Sequence, residues 1–160
     1  ESEVGKTSIT NKYVHDTFEQ NMERSRQVQI HHKIFNIPET IPQQVADLHI
    51  WDTLGQEKFQ SIASIFFKGS VGAFMVFDLS KRASFEKLDK WYEVILSSCD
   101  RTKMVISLIG NKCDLPGREV SYEEAMIYAQ DKKLNYIEVS AKTGQNIANA
   151  FQTIVTEIYK

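Results

Sequence analysis

Gly5-Lys6-Thr7 stands after Glu3 and Val4 at the head of a segment that can form a helix. Backbone N–H groups at a helix start, a lysine ammonium and a hydroxyl are together suited to phosphate oxygens and a Mg²⁺ ion. The full phosphate-loop pattern, G-x-x-x-x-G-K-[ST], needs a glycine immediately before Glu1, so the match is partial. A G-K-[ST] triplet arises by chance in roughly one of ten chains this long, and a lysine at a helix start is the plain alternative. Asp52-Thr53-Leu54-Gly55 puts a carboxylate at the C-terminal end of a strand, where open α/β sheets gather their ligands. The pattern D-x-x-G is weak by itself, and Asp114-Leu115-Pro116-Gly117 is a second copy best read as a turn. Asn111-Lys112-Cys113-Asp114 is far more specific, with a chance frequency of ~2%. Its Asp114 carboxylate can accept two N–H groups from a guanine edge in a charge-assisted pair, and would repel the acceptor that adenine presents there. Ser140-Ala141-Lys142 follows a further strand and carries no specificity alone. The first three loops, in this order at strand ends, combine to roughly one in a thousand.

The elements that must hold these loops are legible in the apolar pattern. VGAFMVF at 71–77 and MVISLIG at 104–110 are short, β-branched or aromatic runs, predicted as buried strands. Between them Phe85, Leu88, Trp91, Tyr92, Ile95 and Leu96 recur at helical spacing. Ser121-Tyr122-Glu123-Glu124 is a capping box opening a helix to about Lys132. A short strand over Asn135–Val139 precedes a last helix striped by Ile147, Ala150, Phe151, Ile154, Val155 and Ile158. Upstream, Lys6–Val14 can form a helix, and Gln29–Phe35 and Val45–Trp51 alternate as strands. Pro38 and Pro42 make Asn36–Gln44 an exposed turn, while polar, aperiodic Glu19–Val28 reads as a solvated connection. His31 and His32 are adjacent on a strand, so they should point to opposite faces rather than share a metal. Alternating strands and helices predict an α/β fold, a mostly parallel sheet with helices on both faces.

With 160 residues, 42% apolar and 25% charged, the chain has the length and composition of one globular domain. A net charge of −2 argues against a protein whose main business is coating nucleic acid or an acidic membrane. Two cysteines, Cys99 and Cys113, make neither a disulfide framework nor a metal site. No apolar run approaches the ~18 residues of a membrane span, and the first residues lack a secretory h-region. A soluble intracellular domain is the expectation.

Taken together these stretches resemble the Ras-like small GTPases, and within them the Rab group. The resemblance runs along the whole chain: EVGKTSI at 3–9, WDTLGQEKF at 51–59, FFKGSVGAFMVFDLS at 66–80, RASFEKLDKW at 82–91 and SAKTGQNI at 140–147. The contexts of Ser2 and Gln27 are nearest to the endosomal branch. The resemblance implies a P-loop NTPase fold and a GTP/GDP-regulated switch that hydrolyses GTP slowly and recruits effectors in vesicular membrane traffic. It further implies Mg²⁺, an exchange factor, a GTPase-activating protein, a monomeric state, and a cytoplasmic protein cycling to the cytosolic face of intracellular membranes. Glu3, Val4, Gly5, Lys6, Thr7 and Ser8 would form the phosphate loop, with Lys6 on the β- and γ-phosphates. Thr7, Ser25 and Asp52 would serve Mg²⁺, Asp52 through water. Gly55 would donate its N–H to the γ-phosphate, and Gln56 would orient the attacking water, as in the phosphoryl-transfer scheme known for Ras itself. Phe18, Asn111, Lys112, Asp114, Ser140, Ala141 and Lys142 would enclose guanine. Ile30, Trp51 and Phe66 would be a surface trio reporting the nucleotide state.

The chain departs from the family at several of these points. Ser25-Arg26-Gln27 stands where the family has its switch threonine, Leu54 replaces a small residue beside Gln56, and Glu3 adds a negative charge to a phosphate loop. The Asn36–Gln44 turn is a few residues longer than is usual. Two other readings therefore stay open: a nucleotide-bound interaction module with impaired hydrolysis, and a nucleotide kinase or ATPase, against which Asp114 speaks. The resemblance also leads us to expect a G domain cut at both ends. A strand ahead of the phosphate loop would lie between those of Val45–Trp51 and Val71–Phe77, and a lipidated tail would follow Lys160.

Overall fold

The computed structural model describes residues 3–20, 27–38, 42–53, 65, 67–100 and 102–160. In chain order these form α1 (Lys6–His15), β1 (Gln29–Ile37), β2 (Gln44–Asp52), β3 (Gly72–Asp78), α2 (Arg82–Glu86), α3 (Leu88–Ser98), β4 (Val105–Asn111), α4 (Tyr122–Lys132), β5 (Asn135–Glu138) and α5 (Ile147–Tyr159). The predicted elements are all present, with three corrections. The helix expected across 85–96 is two helices parted at Lys87. The turn expected at Asn36–Gln44 is shorter, because Asn36, Ile37 and Gln44 belong to the strands and Ile37 pairs with Gln44. Ser121 caps α4 by accepting from the Glu124 N–H at 3.1 Å, but the Glu124 carboxylate makes a bidentate pair with Arg82. A charged partner across a loop thus takes the place of the expected return bond.

β3, β4 and β5 make a parallel three-stranded sheet, β4 in the middle, while β1 and β2 make an antiparallel ribbon. Alternation sorts the parallel sheet's side chains onto two faces. Met75, Phe77, Ile106 and Leu108 pack with Leu88, Ile95, Ala125 and Ala129 of α3 and α4. Val76 and Ile109 pack with Ile9 and Tyr13 of α1 and with Ile147, Ala150 and Phe151 of α5. Helices therefore cover both faces, as expected of buried parallel strands. The ribbon is tied to α1 through Lys33, whose ammonium donates to the Tyr13 carbonyl and lies 4.3 Å from that ring's centre.

Among the described residues, β2 and β3 do not pair with each other. A cleft of about 580 Å³ separates them, lined by Leu48, Ile50, Phe74, Val76, Phe151 and Ile154 among others. The parallel topology brings the C-terminal ends of β3, β4 and β5 together, and the candidate loops meet there.

Candidate functional site

Gly5 caps α1 in the left-handed conformation (φ 95°), and a Cβ there would collide with the Asn111 amide. Glycine at this position is thus required twice, by backbone and by space. The first turn of α1 carries no acidic residue, and its N-terminus opens from Gly5. Ser8 sits one turn behind Gly5.

Asn111 ends β4 almost wholly buried and joins two loops. Its Nδ2 donates to the Val4 carbonyl at 2.9 Å, and its Oδ1 accepts from the Ala141 N–H at 3.2 Å. Lys112 follows in the left-handed region (φ 68°). Its ammonium lies 2.6 Å from a carboxylate oxygen of the fully buried Asp78 and donates to the Glu3 carbonyl at 3.1 Å. The Glu3 carboxylate is directed to Lys81 at 3.8 Å, which moderates the negative charge this residue brings to the loop. Asp114 accepts from the Ser140 hydroxyl at 2.5 Å. That contact fixes one carboxylate oxygen and orients the group. Leu115 N–H bonds back to the Lys112 carbonyl at 3.1 Å, so the turn here closes over 112–115, ahead of most of the second D-x-x-G stretch that was expected to form it.

On the opposite side of the phosphate loop, the Thr7 hydroxyl donates to Asp52 Oδ2 at 2.5 Å. Asp52 is 3% exposed, and its Oδ1 has no hydrogen-bond partner among the described residues. Burial pushes its carboxyl up, partly offset by the Thr7 hydroxyl and by the charge of Lys6. A buried carboxylate with an unpartnered oxygen, beside the Thr7 hydroxyl, is an oxygen donor set suited to a hard divalent cation. Thr7 and Asp52 therefore fit Mg²⁺.

The structure thus brings Glu3, Val4, Asn111, Lys112, Asp114, Ser140 and Ala141 into one hydrogen-bonded rim, with Gly5, Thr7 and Asp52 beside it. A profile described as the Ras family matches residues 1–160. The chain belongs to the Ras family. It is 37% identical to the Ras-related protein RABA4d of Arabidopsis thaliana over all of this chain and 70% of that protein. It is 35% identical to the GTP-binding protein ypt3 of Schizosaccharomyces pombe, over all of this chain and 73% of that protein. A similar match, 35% identical over all of this chain and 74% of the relative, is the Ras-related protein rab-11.1 of Caenorhabditis elegans. This Ras-family chain is a Rab-like small GTPase, as its motifs implied.

Phe18 lies just beyond α1 and Lys142 at the edge of the rim, both exposed. Ile30 and Trp51 are cross-strand partners on the outer face of the ribbon, 47% and 44% exposed, consistent with a surface role for that pair. Ser25, Leu54, Gly55, Gln56 and Phe66 lie outside the described residues. Asp78 is the residue that sequence reasoning passed over. Its only signal was an acid closing the apolar run VGAFMVF, and its role as the Lys112 anchor depends on β3 and β4 being neighbours.

Proposed function

We propose that the rim binds the guanine base and the α1 start binds the phosphates of GTP and GDP, in a switch whose GTP form recruits effectors at intracellular membranes of the endosomal type. The observation that carries this reading is Asn111, which links the phosphate loop at Val4 to the base loop at Ala141. Binding at one end of the nucleotide is thereby positioned relative to the other. Ser140 holds Asp114 so that its carboxylate can accept from the base, while Asp78 and the Glu3 carbonyl hold the Lys112 chain across the rim. Lys6 supplies positive charge at the helix start, and Thr7, Asp52 and Ser25 hold Mg²⁺, which when bound neutralises phosphate charge as a Lewis acid. Gln56 and Gly55 position water and γ-phosphate, and an activating protein accelerates hydrolysis.

Nucleotide released from the purified protein should be GDP or GTP rather than an adenine nucleotide. Asp114→Ala should weaken GDP binding by several kcal/mol, because two base donors lose a charged acceptor in a desolvated pocket, at roughly 1.5–3 kcal/mol each. Equal GDP affinity in parent and variant would remove the base-reading assignment.

A further inference from the structure

The outer face of the β1–β2 ribbon carries a cluster unrelated to the nucleotide rim. In the antiparallel register His32 stands directly opposite His49, and Asp47 lies two residues before His49 on the same strand, hence on the same face. The two imidazole rings are 4.2 Å apart, centre to centre. His49 Nε2 is 3.3 Å from one Asp47 oxygen, and His32 Nδ1 is 4.0 Å from the other. One ligand atom from each residue falls within 4.8 Å of the other two. We propose that His32, His49 and Asp47 form a surface site for a borderline divalent cation of the Zn²⁺ class.

Around a tetrahedral Zn²⁺ with bonds of 2.0–2.2 Å, neighbouring ligand atoms lie about 3.3 Å apart. Through Oδ2 the His49–Asp47 pair already has that spacing; His32 is 4.0 Å from the other oxygen, Oδ1, and closes on the ion by a ring shift together with a turn of the Asp47 carboxylate. All three side chains are more than half exposed, so a small ring rotation displaces no buried side chain. Two imidazoles and one carboxylate suit Zn²⁺, Cu²⁺ or Ni²⁺, whereas Mg²⁺ prefers an all-oxygen shell. Three protein ligands leave a fourth position directed outward for water or an incoming donor. His31, the sequence neighbour of His32, takes no part. It faces the other way, its ring 5.7 Å from that of His15 on α1. The ion would lie two rungs along the ladder from the exposed pair Ile30 and Trp51, the next pair on the same face, so a partner docking on that face would meet it.

The test is Zn²⁺ titration of the whole chain with bound GDP and Mg²⁺, read by competition with a chromophoric chelator, and Co²⁺ titration read by its visible spectrum. One equivalent should bind, with a Co²⁺ spectrum lacking the thiolate charge-transfer band that Cys99 or Cys113 would add. His32→Gln and His49→Gln should each weaken binding at least ~10-fold, Asp47→Asn should also weaken it, and His31→Gln should leave it unchanged. Far-ultraviolet circular dichroism keeps the comparison to folded variants. Zn²⁺ binding that survives His32→Gln with His49→Gln, a thiolate band in the parent, or displacement by equimolar Mg²⁺ would each overturn the assignment.

Discussion

Asp52 ties the ribbon to α1 through the Thr7 hydroxyl, and its environment makes its behaviour without metal predictable. Because burial raises its carboxyl, the folded state holds the proton more tightly than the unfolded chain does. The associated stability is present below the ordinary value of 3.8 and is lost as pH rises through the raised value. At neutral pH the charged, half-satisfied carboxylate therefore destabilises the metal-free protein. Asp52→Asn should raise stability by on the order of 1 kcal/mol in chelator without nucleotide, while abolishing stabilisation by Mg²⁺ with GDP. Thermal unfolding of parent and variant in both conditions checks this, and a variant still stabilised by Mg²⁺ would contradict the role given to Asp52. Gly5 offers a purely steric counterpart. Gly5→Ala forces a Cβ into the left-handed region and against the Asn111 amide, so it should cost roughly 1–3 kcal/mol and loosen GDP as well. Denaturant midpoints and GDP release rates give the two readouts. Loss of neither would show that the loop accommodates a side chain.

The end of β5 depends on charge as well as on its ladder. Arg118 grips the Glu138 carboxylate with two bonds of 2.9 and 2.6 Å, the Tyr136 hydroxyl donates to it at 2.7 Å, and Asn146 bonds the Glu138 carbonyl at 2.9 Å. Burial alone would raise the Glu138 carboxyl, but the Arg118 and Tyr136 bonds outweigh it and hold it below the ordinary range. A carboxyl lowered on folding contributes stability that is present above its unfolded value of 4.5 and lost as pH falls through the folded value. The melting temperature should therefore fall more steeply in the parent than in Glu138→Gln as pH is lowered below the unfolded value of 4.5. Parallel profiles would mean that this cluster does not carry the acid sensitivity. The loop at 140–146 is anchored by the same element, so base binding should weaken with it.

At the scale of the molecule, the cleft between β2 and β3 separates the ribbon from the parallel sheet. We expect an extended strand to fit there, between two strand edges that do not pair with each other among the described residues and over apolar Leu48, Ile50, Phe74 and Phe151. The 160-residue chain should accordingly bind a hydrophobic dye, and the cleft-facing amides of β2 and β3 should exchange quickly. An alternating apolar peptide added in trans should suppress both signals. Unchanged dye binding and exchange would remove the strand from the account. Among the described residues no helix is long and apolar enough to cross a membrane.

Residue types and near-neighbour spacing determined much of this by themselves. The apolar runs located the strands and most helices within a residue or two, the pair at 82–98 read as one helix being the exception, since burial follows periods of 2 and 3.6 along a single segment. The order G-K-T, D-x-x-G, N-K-x-D marked the loops we assign to the nucleotide, and those after β4 and β5 meet because the C-terminal ends of parallel strands lie on one side of the sheet. Contacts between residues distant in sequence were decided only by the tertiary structure. Asp78 holds Lys112 because β3 and β4 pair in parallel register, and Asn111 reaches Val4 across 107 positions. His32 was dismissed beside His31, correctly for that pair, yet the ribbon's register set it against His49 and Asp47. A strand's own alternation says which face a side chain takes, whereas its partner across the ladder depends on a register that local sequence does not encode.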